Sequence, residues 1–326
     1  YLQKKISSKF IIYFHNDPLS MKGSITRNER INLLNISDKI VFISEWVKKR
    51  FFKNIEDYSD QKTKVIYHSV YKQKRLFKKK KYITFVGKLN TAKGYDIFRD
   101  AVIKILNKCP DWKAFSIGDE TRQRPIIKHK QHRELGFLNH KKVLNFLNKT
   151  EIAVVPSRWE EPFGRTALEA SSKGCATIIS NKGGLPETTD HSIILKTNNA
   201  KELYEKILEL IKNDKYRKNV QYKSFKNVKH VINENTILID NLRNELINVF
   251  KLNYNKNKLR IINIYNTGQK LNHRLYNISL GKKFTNGFIR NGHDVIEISD
   301  RDFLRQNRLT SFKNNQTKLQ EYFINT

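Results

Sequence analysis

Val155-Pro156-Ser157-Arg158-Trp159-Glu160-Glu161-Pro162-Phe163-Gly164-Arg165-Thr166-Ala167-Leu168-Glu169-Ala170-Ser171-Ser172-Lys173-Gly174-Cys175 is the stretch that decides the fold. It opens at the end of a continuous apolar run, Ile152–Val155, which predicts a buried strand. Pro156, Ser157 and Gly164 break that pattern. Thr166–Ser172 predicts a short helix, with Gly174 just past its end, where a left-handed residue is favoured. Ala176–Ser180 is the next expected strand. A strand, loop, helix and strand in succession is the building block of a parallel sheet, which places the chain in the α/β class.

Two glutamates punctuate this unit, Glu161 in the loop and Glu169 in the helix. The loop ends at a helix N-terminus, where free N–H groups and the helix dipole suit an anion such as phosphate. Glu169, about one turn inside, is placed to accept from a diol, and Glu161, at the loop tip, to reach a second ligand group. The residues alone also fit a Glu161 that caps the helix and a Glu169 that is merely solvated, because acidic side chains favour first turns.

The surrounding residues narrow this. Glu161-Pro-Phe-Gly, then Glu169-Ala, Gly174 and Gly183-Gly-Leu-Pro-Glu187 resemble the donor-site signature of family 4 retaining glycosyltransferases. That resemblance implies the GT-B architecture: Rossmann-like domains with parallel sheets flanked by helices and an active site in the cleft between them. It implies transfer of a sugar from a nucleotide-diphosphate sugar to an acceptor hydroxyl with retention, with no metal, no cofactor and no assigned catalytic base.

The rest of the chain is consistent with that expectation. The 326 residues suffice for about two domains. Apolar residues make up 38%, low but gathered in discrete runs, so the chain reads as globular. The net charge of +32 would attract nucleic acid, anionic membrane or acidic polymers. Its lysines are scattered among Asn and Ile, however, and no RRM, KH, zinc or helix-turn-helix signature accompanies them. A nucleic-acid partner is therefore not expected, and peripheral contact with an anionic membrane, where lipid-linked acceptors reside, suits the charge better. Cys109 and Cys175 form no metal or disulfide framework, as expected for a reducing, cytoplasmic setting. No apolar run approaches the roughly 18 residues that span a bilayer.

In chain order, residues 10–14 predict a strand with His15 at its carboxyl end. The family places a histidine there, facing donor sugar and phosphate. Residues 25–34 predict a helix. Strands are expected at 38–44 and 64–70, with Ser44 as an N-cap between them. Lys72–Lys81 reads as a solvated, basic linker. Tyr82–Val86 is the next strand, followed by Gly87-Lys-Leu-Asn-Thr-Ala-Lys-Gly94 and a helix. Lys88 and Lys93, on a loop between strand and helix, suit a diphosphate. They match the family's Gly-Arg-Leu…Lys-Gly motif, except that Lys88 stands where arginine is usual, which loses the bidentate fork. Ala114–Gly118 is another strand, and Leu135–His140 reads as strand then turn. Phe137 and Leu138 are candidates to meet the nucleobase. Helices are expected at 141–147, 200–212 and 231–250, the last crossing back onto the N-terminal domain in the family.

The catalytic candidates are thus Glu161, Lys88, Lys93 and His15. The donor-binding candidates are Gly87, Phe163, Gly164, Arg165, Thr166, Glu169, Phe137, Leu138, Gly183, Gly184 and Glu187. After a polar linker at 251–258 the pattern restarts: a strand at 259–265, a helix at 271–290, Asn291-Gly-His-Asp-Val295 and a strand at 294–299. Asn291–Val295 resembles the turn closing the first helix of a GT-B N-terminal domain. The expected organisation is the latter half of an acceptor domain (1–75), a donor domain (76–250), the linker, and the start of a second, interrupted acceptor domain (259–326). The alternative for the last segment is a circular permutation completing the first half-domain. A chain interrupted at both ends is expected to bind nucleotide weakly; its rival readings are a non-catalytic transferase-like module and a basic nucleic-acid-binding protein.

Overall fold

The computed structural model describes residues 9–56, 60–122, 125–248, 259–264 and 282–298. Two compact units divide the chain, Tyr1–Val249 and Phe250–Thr326. The first unit contains two parallel sheets. β1 (Ile11–Phe14), β2 (Lys39–Phe42) and β3 (Thr63–Val65) form the smaller one, in sequential order. α1 (Arg27–Ile36) joins β1 to β2 and begins with a capping box, in which Thr26 and Glu29 satisfy each other's backbone N–H groups. α2 (Glu45–Phe51) follows β2. Ser44 caps it as expected, its Oγ accepting from Val47 N at 3.0 Å. The strand expected at 64–70 is shorter, because the chain after Val65 leaves the sheet; Val70 instead bridges to Val231.

The larger sheet holds β4 (Lys80–Val86), β5 (Lys113–Ile117), β6 (His132–Glu134), β7 (Thr150–Val155), β8 (Ala176–Ser180) and β9 (Ile193–Leu195). Its order is β6-β5-β4-β7-β8-β9, and every pair is parallel. The strand order reverses between β4 and β7. In open α/β sheets ligands bind beyond the carboxyl ends of the strands at such a reversal. Here those ends are Gly87 and Pro156–Ser157.

Helices α3 (Tyr95–Lys108), α4 (His140–Leu147), α5 (Arg165–Ser172), α6 (Ala200–Lys212) and α7 (Asp214–Lys226) flank the sheet. α3 buries Ile97, Phe98, Ala101, Val102, Ile105 and Leu106, a helical stripe packed on Ile83, Phe85 and Ile152. Each such large side chain contributes roughly 1.5–3 kcal/mol when fully buried. Arg217 of α7 is 4% exposed; it lies against the Trp112 ring and pairs with Glu151 and Asp214. α8 (Ile232–Asn248) places Leu242 with Val41 and Ile66 of the smaller sheet, the crossing back that the resemblance implied.

Two further expectations need correction. The segment Leu135–His140 is not a strand: β6 ends at Glu134, and Leu135–Asn139 is irregular before α4, with Asn139 as its N-cap. Lys79, assigned to the solvated linker, is half-buried. Its Nζ donates to Leu147 O (3.1 Å) and Lys173 O (2.6 Å), carbonyls at the ends of α4 and α5, and burial pushes its pKa down. A lysine stem is long enough to cap two helices that a linker passes between.

The second unit shows β10 (Arg260–Ile264), α9 (Lys282–Arg290) and β11 (Asp294–Ile298), the two strands paired in parallel. Gly292 turns the chain with φ 81° in the expected Gly-His-x-Val step. The beginning of the helix expected from Leu271, the tail 311–326 and the start at Tyr1 lie outside the described residues.

His132 of β6 and His68 are both neutral by burial, pushed down to about 4 from 6.5. His132 Nε2 lies 2.8 Å from Ser116 Oγ. A histidine whose folded pKa is depressed contributes stability that is complete above its unfolded value and is lost as pH falls through the folded one. The urea midpoint is therefore expected to fall between about pH 6.5 and about pH 4, and the dependence to be shallower in His132→Gln.

Candidate active site

A cavity of about 250 Å³ opens at the strand-order reversal. Val86 and Gly87 at the end of β4, Val155 and Ser157 at the end of β7, and Gly164, Arg165 and Thr166 at the start of α5 line it. His15, from the end of β1, closes the other side together with His68. The walls are thus strand ends, a helix N-terminus and the loops that follow β3, β4 and β7.

Within it, Lys93 Nζ donates to Glu161 Oε1 at 2.6 Å. Glu161 is 9% exposed, and no side chain caps α5; the loop carries the carboxylate inward to Lys93. The chain holds it there through two glycines. A Cβ on Gly183 would stand 2.1 Å from Glu161 O, and one on Gly184 2.5 Å from Pro162 O. Gly184 N also donates to Glu161 O at 2.7 Å. Gly183 and Gly184 therefore act by letting backbone approach backbone.

Glu169 is 8% exposed rather than solvated. It accepts from His140 Nε2 (3.0 Å) and Arg165 Nη2 (3.2 Å), and it lies one turn beyond the cavity lining. Glu187, expected in the turn beside the donor, is held by the start of α2. Its two carboxylate oxygens accept from Glu45 N (2.8 Å) and Trp46 N (2.9 Å), the free N–H groups at the start of α2. Ser44 Oγ adds a bond to Pro162 O at 2.5 Å. The Gly-Gly-Leu-Pro-Glu turn thereby ties the smaller sheet to the loop that carries Glu161.

Of the expected residues, the structure brings His15, Gly87, Lys93, Glu161, Phe163, Gly164, Arg165 and Thr166 together around one cavity. Lys88 is exposed and does not line it, nor do Phe137, which is 80% exposed, and Leu138, which packs beside Val143 and Leu147. Sequence reasoning missed His68 and His140. His68 follows Tyr67 inside the stretch expected to be a strand and carries no motif; it reaches the cavity because β3 ends at Val65. Among the described residues, no group of three or more His, Cys, Asp or Glu is placed to hold a metal, and no helix is long and apolar enough to cross a membrane.

Residues 69–227, which include the whole larger sheet, match the protein family described as glycosyl transferases group 1. This part of the chain is a glycosyltransferase domain of group 1. The glycosyltransferase MJ1178 of Methanocaldococcus jannaschii is 33% identical over 230 residues, covering 67% of this chain and 62% of that protein. Spore coat protein SA of Bacillus subtilis is 29% identical over 155 residues, 42% of this chain and 41% of that protein. The chain thus spans less than two thirds of either relative. Among solved structures, Anabaena Alr3699/HepE in complex with UDP and glucose superposes with a TM-score of 0.57 at 16% identity, over 72% of this chain and 71% of that one. At that identity the likeness is one of fold, and the fold is the GT-B architecture of parallel sheets flanked by helices. In the group 1 domain here, the cavity sits where the two sheets of the first unit approach, at Phe163, which packs with Phe14 and Phe42 of the smaller sheet.

Proposed function

We propose that the chain is a family 4 enzyme that transfers a sugar, with retention, from a nucleoside-diphosphate sugar to an acceptor hydroxyl. The observation that carries this reading is the Lys93–Glu161 contact inside a cavity floored by the N-terminus of α5. A diphosphate entering there meets one ammonium and the free N–H groups of a helix start, and both favour negative charge. As the bond between the anomeric carbon and phosphate oxygen breaks, charge grows on the leaving diphosphate. Lys93 and the amides of residues 163–166 are already placed to receive it, which is electrostatic preorganisation. Glu161 would take the donor sugar hydroxyls. Glu169, steadied by Arg165 and His140, would take the ribose diol. Lys88 and the Phe137–Leu138 segment stay assigned to the donor as outer contacts, reached only if the ligand extends beyond the cavity. No metal is assigned to the reaction.

The UDP held by the Anabaena protein supports a uridine nucleotide as the first donor to try. A glycan or lipid-linked acceptor of the cell envelope fits the spore-coat relative, and the +32 charge fits a cytoplasmic protein that touches anionic membrane. We place the acceptor half-domain at 1–75, the donor domain at 76–250, and the opening of a second acceptor domain at 259–326. The test is incubation with UDP-, GDP- and ADP-sugars and a glycan acceptor mixture. Release of one nucleoside diphosphate, with the product linkage keeping the donor's anomeric configuration, supports the reading; inversion of that configuration contradicts it.

A further inference from the structure

His15 and His68 are bonded ring nitrogen to ring nitrogen. His15 Nδ1 lies 3.2 Å from His68 Nε2. Tyr13 stacks on His15 at 5.2 Å, and Phe163 meets His68 edge-on at 5.7 Å. The pair forms a wall between two cavities. One is the 250 Å³ site above; the other, about 340 Å³, is lined by Tyr13, Tyr67, Ser69 and Asn235, and His15, His68 and Arg165 face both.

A bond between two imidazole nitrogens needs one proton, and two tautomers supply it. If His15 donated from Nδ1, His68 would accept at Nε2 and carry its own proton on Nδ1. His68 Nδ1 is buried and has no hydrogen-bond partner. Buried N–H groups left without an acceptor are rare in folded proteins, more so than unpaired acceptors. In the other tautomer His68 donates from Nε2 and Nδ1 is a bare lone pair. Burial pulls the pKa of both rings down, and at His68 the neighbouring His15 and then Arg165 add to the effect, so both rings are neutral at neutral pH.

We propose that His68 is a positioning residue: it donates Nε2–H to His15 Nδ1 and so fixes His15 as the Nε2–H tautomer, a hydrogen-bond donor at the wall of the sugar site. His15 then offers a proton to an oxygen of the donor sugar or its phosphate and does not abstract one. The catalytic meaning of this assignment rests on the donor-site reading above; the tautomer itself does not.

The experiment is long-range proton–nitrogen NMR on the full chain with nitrogen-15-labelled imidazoles, the two rings assigned from His15→Asn and His68→Gln. The expected spectrum shows His15 with a protonated Nε2 and a bare Nδ1. His68→Gln keeps that state, because its amide N–H replaces Nε2–H, whereas His68→Phe keeps the ring volume and releases His15 to a mixture of tautomers. With nucleotide-sugar, His68→Phe lowers kcat about ten- to a hundredfold at little-changed nucleotide affinity, and His68→Gln recovers most of it. A protonated Nδ1 on His15 in the wild type, or an unchanged tautomer in His68→Phe, overturns the proposal. If the chain binds no nucleotide while His15 carries its proton on Nε2, the donor-site reading fails and the tautomer assignment stands.

Discussion

Replacing Lys93 by alanine is expected to lower kcat/KM for sugar transfer by about a hundred- to a thousandfold, the usual cost of removing one preorganised group that meets developing charge. Two effects combine in this variant. The ammonium that would face the leaving diphosphate is lost. Its partner, the Glu161 carboxylate, whose side chain is 12% exposed, is then left in the cavity with its charge uncompensated. A bound diphosphate and a bare carboxylate repel each other at short range, so nucleotide affinity should fall along with the rate. Lys93→Arg should lose much less, since it keeps the charge. Adding Glu161→Gln to Lys93→Ala should restore part of the nucleotide affinity lost in the single variant, because it removes the stranded charge. That non-additivity distinguishes a coupled pair from two independent contacts. Isothermal titration with the nucleotide and steady-state rates with the nucleotide-sugar measure both parts.

Gly94→Ala is expected to be the most damaging single methyl group near the site. Gly94 sits between Lys93 and α3 with φ 70°, a conformation an L-residue adopts at a cost of about 1–3 kcal/mol. Its Cβ would stand 1.9 Å from Pro156 O and 2.7 Å from Pro156 C, backbone atoms at the end of β7. These are main-chain atoms and not the far end of a flexible side chain, so an overpacking cost of about 1–3 kcal/mol is added to the conformational one. The same shift would draw Lys93 away from Glu161. Denaturant unfolding should show a loss of about 2–6 kcal/mol, and residual folded protein should bind nucleotide poorly.

Much of this was legible in the sequence where one residue meets one local requirement. Gly164, Gly174 and the apolar runs on either side announce β7, α5 and β8, and Ser44 falls where a helix start needs a cap. Lys93, Glu161 and Arg165 were identified by resemblance, and the structure gathers them around one cavity. What was not legible depends on distance in space. Glu187 is separated from Glu45 by a long stretch of chain, and nothing local says that its carboxylate caps α2. Lys79 lies in a run of lysines that looks uniformly solvated, yet it alone passes between the ends of α4 and α5. His68 becomes informative only beside His15. Leu135–Leu138 has the apolar content of a strand, but its neighbours in the sheet are already paired through His132–Glu134.

Calorimetric titration of the full chain with UDP, GDP and ADP, at low and at moderate salt, tests the central claim most directly. The site described here predicts saturable binding of one of these nucleotides that survives moderate salt, falls strongly in Lys93→Ala and weakens in Glu169→Ala. Binding of all three alike, falling steeply with salt and unchanged in both variants, would mean attraction of any polyanion to a surface of +32 net charge and would contradict it. Absence of binding by folded protein would contradict it equally.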